Sequence, residues 1–302
     1  MDVMNIVCCT DHNYVMPTGI MLKSLAVNHP GQHLQVFCVV DPSVTTRDFN
    51  LLEISFGSEI HFCSYHAEMI PSPQIGITNK HVTAAAYLRL FLTEILPSDI
   101  TKVIYLDGDT IVRGPLNELW ETDIENYALG VVKDMDECPN LLRVDYPQKY
   151  GYFNSGVLLI NLIYWRGHHL QERFLKCMKE NGEKLIYHDQ DVLNFILYNE
   201  KLFLSPKWNA QNGFFFRSRF QLFSKTGLET EIQELREVRR NPRIVHFTLS
   251  KPWKKYSVNP YKKDFLRYKR MSPWRNYPPS MAKNGLFSIL RSSLKLLLKY
   301  KW

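Results

Sequence analysis

The chain has 302 residues, 45% of them hydrophobic, with 37 Lys or Arg against 30 Asp or Glu and a formal net charge of +7. That composition excludes a disordered polymer and supplies core for one large or two medium domains. It also excludes a conventional membrane-spanning helix, because no run reaches the roughly 20 apolar residues a span needs.

The opening MDVMNIVCCTD lacks the basic start and apolar core of a signal peptide, which predicts a cytoplasmic protein. Residues 5–10, NIVCCT, read as a first buried strand that runs into DHNY. A helix is expected from about Pro17 to Asn28, a strand over 33–40, a helix over VTTRDFNLLEIS and a third strand in EIHFCSY. Residues 83–96, TAAAYLRLFLTEIL, carry strong helix formers with an apolar stripe, and Pro97 follows. After a strand at 103–106 come strand patterns in YALGVV and SGVLLINL. YWRGHHLQERFLKCMKEN and DQDVLNFILYN read as one helix each, and RIVHF as a last short strand. Strands alternating with helices argue for an α/β fold whose central sheet is mostly parallel and covered on both faces. The six cysteines, Cys8, Cys9, Cys38, Cys63, Cys138 and Cys177, show no zinc-like pairing and are expected to be free thiols.

In such sheets ligands bind beyond the carboxyl ends of the strands. VIYLDGDTIV places Asp107 and Asp109 at such an end, separated by Gly108. In an extended chain both carboxylates share one face, and two like charges held that close call for a cation. Hard oxygen donors suit Mg2+ or Mn2+, and the bare Gly108 would let a ligand approach the backbone. The alternative is a loop whose aspartates make turn hydrogen bonds.

Further along, HFTLSKPW puts His246 at a strand end, where an imidazole can complete a metal site, and Lys251 five residues on, where it can neutralise a phosphate. HDQDVLN puts Asp189, Gln190 and Asp191 at a helix start, where an N-cap role explains one aspartate but not both, nor Gln190. Asn154 precedes a buried strand, and Arg89 interrupts an apolar helix.

Charge is unevenly distributed. Fourteen of the basic residues and a single acid, Asp264, lie between Lys251 and Trp302, so the preceding body is net acidic. In GLFSILRSSLKLLLKYKW, Leu286, Ile289, Leu290, Leu294, Leu297 and Leu298 recur every three or four residues, with Lys295 and Lys299 off that stripe. This is the pattern of a basic amphipathic helix lying on an anionic membrane surface. The alternative is a helix docked on the protein's own core or on a sister subunit. YPPS at 277–280 marks the boundary between a body of residues 1–276 and a tail of residues 277–302. No nucleic-acid-binding motif accompanies the basic tail.

Together the segments TDHNY, AAYLRL, YLDGDTIVRGPLNELW, YFNSGVLLINLIYWR, HDQDVLN and HFTLSKPW resemble the family 8 glycosyltransferases. The likeness is greatest to the bacterial lipopolysaccharide galactosyl- and glucosyltransferases, and it covers about residues 4–255. It implies a GT-A-type, Rossmann-like nucleotide-sugar fold. The activity implied is transfer, with retention of configuration, of galactose or glucose from a UDP-sugar to a saccharide or glycolipid acceptor. That places the protein at the cytoplasmic face of the inner membrane. The metal implied is Mn2+, with Mg2+ possible, held by Asp107, Asp109 and His246. Thr10, Asp11, Asn13 and Tyr14 look like uridine contacts, and Lys251 like the diphosphate clamp. Arg89, Asp134, Asn154, Asp189 and Gln190 line up with contacts to the donor sugar. Gln190 corresponds to the residue on the β-face of the transferred sugar, with Asp191 orienting it. One departure stands out: relatives usually carry a glycine between the histidine and KPW, where this chain has Thr248, Leu249 and Ser250 in a shortened segment.

Retaining hydrolases use two carboxylates, one as nucleophile. Here the matching position is Gln190, a poor nucleophile, so front-face attack is expected. Rival readings are a phosphatase with Asp107 as nucleophile and Asp109 as acid/base, an inactive membrane scaffold, and a self-glycosylating or protein-directed transferase.

Overall fold

The computed structural model describes residues 3–64, 84–135, 146–215 and 229–280, together with Leu294 and Leu298. Cys138 and the remainder of the amphipathic tail lie outside the described residues. Among the described residues ten strands are formed: β1 Met4–Thr10, β2 Leu34–Val40, β3 His61–Ser64, β4 Lys102–Leu106, β5 Thr110–Val112, β6 Leu129–Lys133, β7 Phe153–Asn161, β8 Lys201–Phe203, β9 Ala210–Gln211 and β10 Ile244–His246. The α-helices are α1 Val15–Asn28, α2 Thr46–Phe56, α3 Leu92–Ile95, α4 Asn117–Trp120, α5 Leu162–Gly167, α6 Leu170–Asn181, α7 Asp189–Ile196, α8 Glu229–Arg240 and α9 Lys262–Arg270.

Seven strands make one sheet in the order β3-β2-β1-β4-β7-β6-β8. β3, β2, β1 and β4 run parallel. β7 is antiparallel to both β4 and β6, while β8 is parallel to β6. Among the described residues β7 is thus the one reversed strand of this sheet. The expected mixed, mostly parallel sheet is formed. A second sheet, β5-β10-β9, starts where the chain leaves β4 through Asp107-Gly108-Asp109.

Both faces of the large sheet are covered. One core packs α1, α2 and the small sheet against Ile6, Cys8, Ile104 and Leu106. The other packs Tyr87, Leu88, Trp165, Phe174 and Leu193 against Val7, Val103, Tyr105 and Leu158. Alternate residues of β1 and β4 serve opposite cores, which is why these strands read as unbroken apolar runs. α2 opens with a reciprocal capping box between Thr45 and Asp48 and ends at a left-handed Gly57. Cys8, Cys9, Cys38 and Cys177 are buried free thiols.

Two helical segments differ from expectation. Ala84–Phe91 is a 3-10 helix, and only Leu92–Ile95 is α-helical. Within it the Arg89 Nε donates to the Ala86 carbonyl at 3.1 Å, an acceptor that an α-helix would give to residue 90. The segment from Tyr164 to Asn181 is broken into α5 and α6 by His168 and His169, the latter left-handed at φ 49°. At the far end Ser280 donates to the Trp253 carbonyl at 3.0 Å, so the described chain stays tied to the body through that residue. Among the described residues no helix is long and apolar enough to cross a membrane.

Candidate active site

The aspartate pair sits in a turn between the two sheets. The Asp107 N–H donates to the Gly156 carbonyl of β7 at 2.8 Å, and the Thr110 N–H closes the turn on the Asp107 carbonyl at 3.1 Å. A Cβ on Gly108 would lie 2.3 Å from the Thr18 hydroxyl. The missing side chain therefore makes room for α1, where sequence reasoning expected room for a ligand. Asp107 Oδ1 accepts from Arg89 Nη2 at 2.8 Å and from the Tyr105 hydroxyl at 2.9 Å.

His246 reaches the same place from β10, where it lies opposite Thr110 in the ladder. Its Nε2 is 3.3 Å from Asp109 Oδ1 and 3.8 Å from Asp107 Oδ2. The other ring nitrogen fixes the proton. Nδ1 lies 3.0 Å from Asn154 Oδ1 and 3.1 Å from Asn209 Oδ1. Asn154 Oδ1 also accepts the Gly156 backbone N–H at 3.0 Å, and that N–H can only donate, so this atom is the amide oxygen. Nδ1 is therefore the donor, and a neutral ring turns the Nε2 lone pair toward two carboxylates. Ligand atoms of Asp107, Asp109 and His246 all lie within 4.8 Å of one another. Two carboxylates and one imidazole braced through its far nitrogen make a donor set that can hold Mn2+ or Mg2+. Gly156 is obligatory here, since a Cβ would lie 2.1 Å from His246 Cε1 and 2.8 Å from Asp107 Oδ2.

Lys251 completes this end by pairing with Asp109 Oδ2. Burial opposes ionisation of Asp109, but the Lys251 ammonium, joined by His246 where its ring is protonated, outweighs it and holds the carboxyl well below the usual range. Lys251 is likewise penalised by burial, and Asp109 raises its pKa in compensation. Despite the residues that differ from the family pattern at 248–250, the ammonium reaches the aspartate pair.

Arg89 links this cluster to α7. Its guanidinium contacts Asp107, the Ser155 carbonyl at 2.8 Å and Asp189 Oδ2 at 3.1 Å, and stacks 4.5 Å over the Tyr105 ring. Burial disfavours its charge, but Asp107 and Asp189 outweigh that and push its pKa up. Asp189 is pushed up to about 6, chiefly by burial, against the pull of Arg89 and with the help of Asp107. One guanidinium shared by two carboxylates leaves the more deeply buried one easier to protonate.

Both ends of the Gln190 side-chain amide are engaged. Its oxygen accepts from the Ser155 N–H at 3.0 Å and Asn154 Nδ2 at 3.2 Å, and its Nε2 donates to Asp134 Oδ2 at 2.9 Å. Asp191 sits beside the turn that carries Gln190. Its oxygens accept from the Tyr152 hydroxyl at 2.6 Å and the Tyr187 N–H at 2.8 Å, which ties down the approach to α7. Neither aspartate is the N-cap; His188 holds that position without a side-chain cap bond.

At the end of β1, Asp11 is buried and caps a short 3-10 turn by accepting the Tyr14 N–H at 3.0 Å. Thr10 Oγ1 accepts from the Thr18 hydroxyl at 3.1 Å, and Asn13 is exposed. Tyr14 packs edge-on against Trp253, and burial together with the Asp109 charge pushes its hydroxyl up to about 12. Sequence reasoning missed Tyr105, Ser155, Gly156 and Asn209. The last is fully buried inside WNAQN, and a run of amides between apolar neighbours was the one available signal.

Comparison with known proteins identifies the family and the fold. The family model described as glycosyl transferase family 8 matches residues 5–257. General stress protein A of Bacillus subtilis is 30% identical, covering 90% of this chain and 95% of that protein. A lipopolysaccharide 1,2-glucosyltransferase of Escherichia coli is 24% identical over 94% of this chain and 82% of its own length. The galactosyltransferase LgtC, solved with donor and acceptor sugar analogues, superposes with a TM-score of 0.77 at 22% identity, covering 89% of this chain and 96% of that one. That likeness shows a GT-A fold. With the matched region spanning most of its length, the chain belongs to glycosyl transferase family 8.

Proposed function

We propose that this glycosyltransferase moves galactose or glucose from a UDP-sugar to a saccharide or glycolipid acceptor in surface-glycan synthesis, with retention at C1. The observation that carries the reading is the convergence of the His246 Nε2 lone pair with Asp107 and Asp109 beside Lys251, one arginine away from Gln190. Relatives named for lipopolysaccharide glucosyl and galactosyl transfer support the choice of donor and pathway class. Asp107, Asp109 and His246 would hold Mn2+, with Mg2+ as the alternative, and a bound ion would supply Lewis acidity toward the leaving diphosphate.

The chain's own groups do the rest. Thr10, Asp11, Asn13 and Tyr14 bind the uridine, and Lys251 neutralises the diphosphate. Arg89, Asp134, Asn154 and Asp189 hold the sugar. The Gln190 oxygen already accepts two hydrogen bonds, which leaves it no lone pair well placed to form a covalent sugar adduct. The acceptor hydroxyl therefore attacks C1 on the face that UDP leaves. The bond from C1 to the diphosphate oxygen breaks, the new C1–O bond forms, and the hydroxyl proton passes to the departing phosphate oxygen. Gln190, oriented by Asp134, presents its amide dipole to the developing positive charge. Residues 277–302 act as a basic anchor that holds the body of residues 1–276 at an anionic membrane.

The test is UDP release from UDP-galactose and UDP-glucose with and without Mn2+, with a lipid-linked acceptor added in turn. Metal-dependent release is expected, and Gln190→Ala should lower turnover about 10- to 100-fold while metal binding is kept. Release of phosphate from simple esters with no UDP formed would replace this reading with the phosphatase one. Sugar found by mass spectrometry on a tyrosine of the protein itself would point to self-glycosylation.

A further inference from the structure

His188 has no assigned part in the site, yet its backbone is held at φ 51° and ψ −116°. The Gln190 N–H donates to the Tyr187 carbonyl at 3.0 Å across it. Those values belong to the first central position of a type II′ turn, where glycine is relaxed and asparagine is the next best choice. A histidine there is strained, and strain of this kind persists only where the surroundings over-determine it. The ring is 4% exposed, and its Nδ1 lies 3.0 Å from the Tyr87 hydroxyl. Nε2 is buried with no hydrogen-bond partner among the described residues, where the ring's one hydrogen bond is thus to Tyr87. Tyr87 stands two residues before Arg89 on the 3-10 segment, and His188 stands directly before Asp189 and Gln190. The two segments that meet in the Arg89–Asp189 ion pair are thus joined a second time, one step outside it.

We infer that His188 is a positioning residue: through Tyr87 it latches the start of α7 to the arginine-bearing segment and so fixes Asp189 and Gln190 for sugar transfer. This rests on the reading of the site as a UDP-sugar transferase. The latch lies on the sugar side of Arg89, so it acts on turnover and leaves the nucleotide and metal end alone.

The test combines His188→Gly, His188→Asn and Tyr87→Phe in the full chain. His188→Gly relaxes the turn but removes the ring. Its melting temperature should equal or exceed that of the wild type, its KM for the donor should stay within about threefold, and its kcat should fall about 10-fold. Tyr87→Phe should follow the same split. His188→Asn tolerates the turn and places an amide near the position of Nδ1, so it should recover most of the lost turnover. Independently of activity, the Gln190 amide should exchange hydrogen about 10-fold faster in His188→Gly and Tyr87→Phe. Wild-type kcat and exchange in His188→Gly would overturn the inference. So would a loss of kcat that only tracks a lower melting temperature or weaker UDP and Mn2+ binding. If the wild type itself releases no UDP, the transferase reading fails, and the exchange measurement still decides whether the latch exists.

Discussion

Where β4 and β10 meet, Asp107, Asp109, His246 and Lys251 face one another with charge as their main tie, whereas at the start of α7 Gln190, Asp191 and Asn194 are held by directed hydrogen bonds from β7 and its approach. The first end keeps a lone pair and two carboxylates pointed at a common spot, an arrangement that a cation completes. The second is close to self-sufficient, since both ends of the Gln190 amide already have protein partners. One end can therefore be broken by changing charge alone. The other yields by degrees, as geometry loosens. Arg89 is the shared element, and the two halves meet in its two carboxylate partners.

This contrast sets the order of expected effects. Asp109→Asn should reduce metal-dependent UDP release about a thousandfold, and chelation of the wild type should do the same. Activity surviving both would mean that the charged end is not a metal site.

Next comes the pH dependence of stability. Asp189 titrates near 6 when folded and near its ordinary value when unfolded, so the folded state binds that proton more tightly. Its contribution is fully present below about pH 4 and is lost as pH rises through 6, which amounts to about 3 kcal/mol. With the metal chelated, wild-type protein should therefore lose stability relative to Asp189→Asn between pH 4 and 7. Parallel denaturation curves for the two would show that Arg89 neutralises Asp189 outright.

A smaller effect is expected from Asn209→Ala, which removes one of the two amide oxygens that orient the His246 ring. Mn2+ affinity measured by calorimetry should weaken about 10-fold, with the fold unchanged. Smallest of all, deletion of residues 281–302 should leave UDP release from soluble substrates within about twofold while reducing co-sedimentation with anionic vesicles.

Much of this site was legible because its chemistry lies in short contiguous motifs. Strand β4 followed by two aspartates, and a histidine five residues before a lysine, carry their spacing in the sequence. The direction of β7 was not legible. FNSGVLLIN is buried on both faces, and an apolar run looks the same in either direction. The 3-10 geometry at Ala84–Phe91 also escaped, because the segment has helix-forming residues and its tightening accompanies a long-range pull on Arg89 from Asp107 and Asp189. The break at His169 depends on one backbone angle, which composition does not encode. Asn209 and Gly156 were invisible for a shared reason. Each acts on the site by touching His246, across 37 residues in one case and 90 in the other, and a contact made at that separation leaves no motif in the sequence.

The space beside the His246 ring where Gly156 carries no side chain has a consequence for how this protein can be lost. A single methyl group there would push the imidazole off its bearing and crowd an aspartate oxygen, although the residue binds nothing itself. Inactive lineages can thus arise with all three candidate ligand side chains intact, and a search for disabled copies by missing carboxylates or imidazole would pass them as competent.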